Sequence, residues 1–282
     1  MEDLPSRSDL EHWQLRGSGA ELYERYLVPL VTSQWAVDLI ARSRVQAGDR
    51  VLDVACGTGI VARIAAGKVG DRGRVAGLDL NPGMLAVART SPKVGEVSIE
   101  WYEGSALALP FREGEFAVVL CQFGLMFLPD PALALGEMRR VLEPGGPVGV
   151  SVFAEIEQNP VALALSDALD QRLGEGASLP KRKEHALADR GALHQLFHDV
   201  GFTRVRIETV TKSSRYPSVS DFVSFQLRAT PLASVLAQYE EPQRDGLTAL
   251  LVEDLNPRLA GFVRGGDLVF PQVAHVVIAQ DR

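Results

Sequence analysis

The chain has 282 residues, 46% of them hydrophobic and 23% charged, a composition that suits a globular protein made of one large domain or of a core with a smaller appendage. A mean hydropathy of +0.04 and the lack of any apolar run of spanning length argue against a membrane protein. The net charge of −7 works against attraction to nucleic acid or anionic lipid, so neither is expected as a partner.

The opening segment, MEDLPSRSDLEHWQLRG, carries acidic residues and no apolar stretch of the signal-peptide kind, which predicts a cytoplasmic protein. The two cysteines, Cys56 and Cys121, have apolar neighbours and suit a reducing compartment; with no histidine at ligand spacing they give no metal site. Residues 18–44 read as a helix with one apolar face, including Tyr26, Leu27, Leu30, Val31 and Trp35, and Pro29 as a kink or break.

An alternation of strands and helices follows. Strand 51–55 leads to helix 60–67, and strand 74–79 to helix 82–89, which Asn81 caps and Pro82 opens. Strands 97–102 and 116–121 come next, the second a near-continuous apolar run of the kind buried on both faces. Asp130 and Pro131 open helix 131–142, and EPGG closes it before strand 147–153. Helix 191–200, strand 203–209 and a last strand, 273–279, complete the pattern. The prediction is an α/β protein with a Rossmann-like, doubly wound, seven-stranded, mostly parallel sheet.

Two segments exceed what such an alternation needs. Residues 154–190 contain an apolar helix, 161–173, and a charged loop; residues 213–266 contain two or three helices, with Ser218 and Asp221 at a capping-box-like start. Long insertions are usually functional, and both are expected to form a helical cover over a ligand crevice. The basic run Lys181-Arg182-Lys183 is read as a solvated helix start rather than a phosphate-binding patch. The expected organisation is thus an N-terminal helical segment, 1–44, a cofactor-binding core, 45–153, an insertion, 154–190, and a sheet-completing part, 191–282, that carries the cover at 213–266.

The stretch VLDVACGTG, residues 51–59, is a buried strand feeding a glycine turn, and in an open parallel sheet ligands bind at the carboxyl ends of the strands. Gly57 and Gly59 would let the backbone approach a ligand. Asp79, twenty residues beyond Gly59, would accept from ribose hydroxyls, a spacing that fits any adenosine-containing cofactor, NAD included. Asp53 discriminates: a carboxylate beside the loop opposes a pyrophosphate and welcomes a ligand with a cationic end. The loop GSALALPF would set Ser105 and Ala106 at an adenine edge. CQFGLMFLP would put Gln122, Phe123, Met126 and Phe127 at the carboxyl edge of the sheet.

VLDVACGTG, GLDLNPGML, GSALALPF and EMRRVLEPGG, in this order within residues 45–153, resemble the motifs of class I S-adenosylmethionine-dependent methyltransferases, in the group compared with the ubiquinone and menaquinone biosynthesis enzymes. The resemblance implies that Asp53 and the backbone of Ala55, Gly57 and Gly59 hold the methionine part. It further implies Asp79 on the ribose, Leu80 and Met84 against adenine, Ser105 and Ala106 at its edge, and Gln122 at the amino acid end, with Thr58, Gly104 and Phe123 in the same site. Tyr26 or Tyr23 would touch cofactor or substrate from an N-terminal segment that closes over the site, the alternative being core packing of an amphipathic helix. One departure stands out: Ser105 occupies a place where the family often has an acid, so the bond to the adenine amino group would lack charge. The last strand is expected to insert antiparallel beside its predecessor.

The implied activity is methyl transfer from S-adenosylmethionine to a small, apolar or aromatic acceptor, by a monomer or homodimer. The cover residues Phe222, Phe225, Leu227 and Phe262 are compatible with an apolar acceptor or with the cover's own core. An NAD-dependent oxidoreductase and a catalytically silent cofactor-binding protein are the alternatives. Among candidate bases, His194 and His198 are expected to be exposed on a helix and His275 to be structural, while His12 and Trp13 belong to the N-terminal segment.

Overall fold

The computed structural model describes residues 19–92, 94–95, 97–237 and 239–281; His12 and Trp13 lie outside them. The N-terminal helix is not one regular α-helix. A short turn, α1 (Gly19–Leu22), runs into a ten-residue π-helix, Tyr23–Thr32, and then into α2 (Ser33–Arg42). Pro29, expected to kink or break this segment, is absorbed by the wider coil. A proline ring clashes with the carbonyl one α-turn back and donates no bond, and i→i+5 pairing relieves both; the Ser33 amide reaches back to the Val28 carbonyl in this way.

The strands are β1 (Arg50–Val54), β2 (Arg74–Asp79), β3 (Ile99–Glu103), β4 (Val118–Gln122), β5 (Pro147–Phe153), β6 (Arg204–Tyr216), β7 (Val263–Arg264) and β8 (Asp267–Gln280). Their order is β3-β2-β1-β4-β5-β8-β6, with β7 paired to β8. The first five are parallel, and β8 is antiparallel to both β5 and β6, as expected for the final strand. The eighth strand is only the two-residue β7, which adds a small hairpin to the seven expected. Both β6 and β8 run well past the expected 203–209 and 273–279; the cover begins only after Tyr216, later than the expected 213, while β8 starts directly after the expected end at 266.

Helices α3 (Ile60–Val69), α4 (Pro82–Thr90) and α5 (Pro131–Val141) follow β1, β2 and β4. Asn81 caps α4 by accepting from the Gly83 and Met84 amides at 2.8 and 3.3 Å, and Asp130 caps α5 by accepting from Leu133. The first insertion holds α6 (Pro160–Leu173) and the five-residue α7 (Leu179–Lys183); α8 (Arg190–Asp199) then precedes β6. The cover holds α9 (Val219–Ala229), α10 (Ala233–Leu236) and α11 (Glu241–Leu259). Ser218 caps α9, its Oγ accepting from the Asp221 amide at 2.9 Å.

Alternate residues of each strand feed two apolar layers. Val51, Val118 and Leu120 join α2, α3, α6 and the cover helices in one cluster, whereas Leu52, Val54, Val119 and Cys121 join α5 and α8 in the other. The cover is bound to the first insertion by Arg172, whose guanidinium pairs with Asp254 through bonds of 2.5 and 2.7 Å. The π-helix is bound to α3 by buried Arg63, which pairs with Glu24 at 2.7 Å.

Candidate functional site

Just past β1 the backbone turns through three left-handed residues, Ala55 (φ 54°), Gly57 (φ 56°) and Gly59 (φ 83°). The non-glycine in this set is under strain, since a left-handed residue with a Cβ costs about 1–2 kcal/mol. Phe123 (φ 52°), just past β4, is strained in the same way. Gly124 beside it leaves room for the Ala55 methyl, because a Cβ there would come within 2.6 Å of it. Both strained positions stand at carboxyl ends of neighbouring strands, where backbone strain tends to accompany function.

Asp79 ties the turns after β1 and β2 together. Its Oδ2 accepts from the Gly57 amide at 2.7 Å and its Oδ1 from the Asn81 amide at 2.8 Å. A carboxylate has about four lone-pair sites, so each oxygen keeps acceptor capacity. Asp53 lies beneath, 1% exposed, accepting from the Ala62 amide in the first turn of α3 at 3.0 Å. Burial, aided by the neighbouring charge of Asp79, pushes the Asp53 carboxyl up to about 8, and burial raises Asp79 as well. Two acids therefore share a site in which neither has a basic partner among the described residues, an arrangement that favours a cationic ligand.

Gln122 donates to the Thr32 carbonyl at 3.1 Å, while among the described residues its Oε1 and the buried Thr32 hydroxyl have no hydrogen-bond partner. Phe123 stacks on Phe153 (4.2 Å between centroids, 10°) and meets the Trp35 edge at 5.6 Å.

These groups surround a cavity of about 540 Å3 between the carboxyl edge of the sheet, the π-helix, α7 and α9. Its lining includes Asp53, Ala55, Gly57, Asp79, Leu80, Met84, Gly104, Ser105, Ala106, Gln122 and Phe123, residues at or just past the carboxyl ends of β1, β2, β3 and β4. Three expected residues lie elsewhere. Tyr26 stacks on Phe225 of α9 at 4.3 Å and closes the cover, while Tyr23 faces the cavity, its phenol pushed up to about 12 by burial. The Thr58 side chain is buried, its hydroxyl without a partner among the described residues. Gly59 makes room for the Trp101 indole, which would lie 2.2 Å from a Cβ. The Ser105 hydroxyl accepts from the Leu107 amide at 3.2 Å, so it holds its own loop in shape.

The reading of the basic run as a solvated helix start fails at Lys181. Its side chain is buried, lines the cavity, and pairs with Glu184 at 2.6 Å. Arg182 binds Ser178 and Asp167 at 2.8 and 2.9 Å, which anchors α7 on α6. Tyr216, Gln226, Thr230 and Gln272 also line the cavity. None of the cover residues Phe222, Phe225, Leu227 and Phe262 does; they pack in or against the apolar cluster. His194 and His198 are exposed on α8, and buried His275 bonds Thr209 and the Ala188 carbonyl. Among the described residues no group of three or more His, Cys, Asp or Glu side chains converges as a metal site would require. A second, open groove of about 840 Å3, lined in part by Arg44, Arg204 and Arg206, lies at the amino ends of the strands and shares no lining residue with the first cavity.

A family model described as the ubiE/COQ5 methyltransferase family matches residues 30–171. The chain is 40% identical over 129 residues to the 2-phytyl-1,4-beta-naphthoquinone methyltransferase of Arabidopsis thaliana, an alignment covering 44% of this chain and 49% of that protein. It is 40% identical over 115 residues to the demethylmenaquinone methyltransferase of Oceanobacillus iheyensis, covering 40% and 48% respectively. The chain thus spans about half the length of the curated relatives it matches. The solved structure of phosphoethanolamine N-methyltransferase 2 of Haemonchus contortus, in complex with S-adenosyl-L-methionine, aligns with a TM-score of 0.60 at 17% identity, covering 100% of this chain and 61% of the other, a likeness of fold.

Proposed function

The chain belongs to the ubiE/COQ5 methyltransferase family, and from that membership we propose that it transfers a methyl group from S-adenosylmethionine to a small, apolar or aromatic metabolite. The observation that carries the reading is a pair of acids under a left-handed glycine turn, buried Asp53 and half-buried Asp79, with no cation paired to either among the described residues. A ligand with ammonium and sulfonium charge meets that need; a dinucleotide pyrophosphate does not, which disfavours the oxidoreductase alternative.

S-adenosylmethionine, when bound, supplies a methyl group already activated on sulfur. The chain's own residues then bind and orient. Asp79 keeps lone pairs for ribose hydroxyls, Leu80 and Met84 give an apolar wall for adenine, and Ser105 and Ala106 lie at its edge. Asp53 balances the cationic end, and the orphaned Gln122 Oε1 and Thr32 hydroxyl accept or donate there. The π-helix, α7 and α9 cover the cavity, and the stacked Phe123 and Phe153 bound the acceptor side. Holding two reactants in line is the main task left to the protein in such a transfer.

Calorimetric titration with S-adenosylmethionine, S-adenosylhomocysteine and NADH tests this. Saturable binding of the first two with NADH silent is expected, and binding of NADH alone would overturn it.

A further inference from the structure

The acceptor side of the cavity contains charged and amide groups for which cofactor binding has no use. Sheet order separates the two ends. The cofactor loops follow β1 and β2, whereas Phe153 ends β5, Gln272 lies in β8, Tyr216 ends β6, and Lys181 and Glu184 come from the first insertion. The Lys181 ammonium donates to Glu184 at 2.6 Å and to the Gln226 Oε1 at 3.0 Å. An ammonium has three N–H donors, and among the described residues the third has no protein acceptor. Lys181 and Glu184 are only 7% and 6% exposed, and both line the cavity.

The orientation of Gln272 follows from its neighbours. The Trp35 indole N–H, which can only donate, reaches one amide atom at 2.9 Å, and the Ser214 hydroxyl reaches the same atom at 3.4 Å. That atom is therefore the carbonyl oxygen; among the described residues the Gln272 NH2 group has no acceptor, and the residue lines the cavity. A buried ion pair kept for stability alone has little advantage over apolar side chains of similar size. This one adds to an apolar chamber two unspent donor groups and the second oxygen of a carboxylate acceptor.

We propose that Lys181, held by Glu184 and Gln226, forms with Gln272 a polar subsite, contributed by the first insertion and the last strand, that reads a hydroxyl on the methyl acceptor. Its oxygen accepts from the Lys181 ammonium and the Gln272 amide, its O–H faces the Glu184 carboxylate, and its ring lies along the wall made by Phe123 and Phe153. A hydroxyl matches this arrangement because it both accepts and donates, while an ether or a bare ring leaves buried groups unpaired. Sites built to bond a hydroxyl reject analogues that lack it far more strongly than apolar pockets reject a missing methylene. The subsite rests on the methyltransferase reading.

The test compares binding of 1-naphthol and 1-methoxynaphthalene, by calorimetry, to protein saturated with S-adenosylhomocysteine. The wild type is expected to prefer 1-naphthol by at least about tenfold. The double variant Lys181→Met/Glu184→Met removes both charges together, so no lone ion is left buried. It should keep its S-adenosylhomocysteine affinity within about twofold and lose the preference between the probes. The milder Glu184→Gln, of the same shape, reads the acceptor half alone: 1-naphthol should weaken at least about threefold with 1-methoxynaphthalene unchanged. A wild type that binds S-adenosylhomocysteine but treats the probes alike, or variants that keep the preference, would overturn the subsite and leave the cofactor reading standing. Failure of the wild type to bind S-adenosylhomocysteine would overturn both.

Discussion

At the scale of single residues, the charge of the cavity turns on Asp53. Its carboxyl titrates near 4 in an unfolded chain and is pushed up to about 8 by burial in the folded one. The folded state therefore holds a proton that the unfolded state has released across that interval. The associated stability is fully present below about pH 4 and is lost as the pH rises through about 8. A cation bound beside Asp53 favours the ionised form and must displace this proton. Binding of S-adenosylmethionine at about pH 7 should release up to roughly one proton per ligand, read as a dependence of the calorimetric heat on the ionisation enthalpy of the buffer, and affinity should rise toward about pH 8.5. Asp53→Asn should abolish the release. A buffer-independent heat in the wild type would remove Asp53 from the cationic end.

At the scale of elements, the turn between β1 and α3 separates two glycines that the motif treats alike. Gly59 is left-handed and packed under Trp101, so Gly59→Ala adds a clash with an indole to a conformational cost of about 1–2 kcal/mol. Gly57 is left-handed too, but a Cβ there meets nothing within 4 Å and would project toward open space. Gly59→Ala should lower the thermal midpoint by several degrees, corresponding to at least about 2 kcal/mol. Gly57→Ala should cost less stability and instead weaken S-adenosylhomocysteine binding; equal effects of the two on both readouts would refute this division. The positions of the loops were legible in the sequence because local chemistry fixes them: Asn81 and Asp130 cap their helices, and apolar runs mark β1, β2 and β4. The acceptor side was not legible. Lys181, Tyr216, Gln226 and Gln272 converge only in three dimensions, and a basic run followed by Glu184 has the pattern of a solvated helix. The extension of β6 through KSSRY was hidden for a related reason: on an edge strand the alternation of apolar residues fades while the pairing with β8 continues. Tyr26 and Tyr23 lie on one helical segment, and the π-helix, which Pro29 alone does not distinguish from a kink, alters the angular spacing that a 3.6-residue period assumes.

At the scale of the whole molecule, the question is whether the cover is a separate lid or part of the core. One continuous apolar cluster runs from Val51 and Ala62 through Leu165 and Tyr216 to Val223 and Leu255, so the cover helices share side-chain contacts with the sheet and with α6. The Trp35–Gln272, Arg63–Glu24 and Arg172–Asp254 bonds join the same parts through polar groups. The cover therefore has no core of its own to unfold around, and calorimetric unfolding should give one transition rather than two. Because the cavity is walled by sheet, π-helix, α7 and α9 together, a ligand there stabilises all of them at once. S-adenosylhomocysteine at about 100 times its Kd contributes about 2.7 kcal/mol, which for a chain of this size is a shift on the order of 5–10 °C. The whole transition should move by that amount without splitting. A low-temperature transition that alone responds to ligand would instead make the cover an independently melting cap, and the cavity would then be organised by binding rather than built into the folded chain.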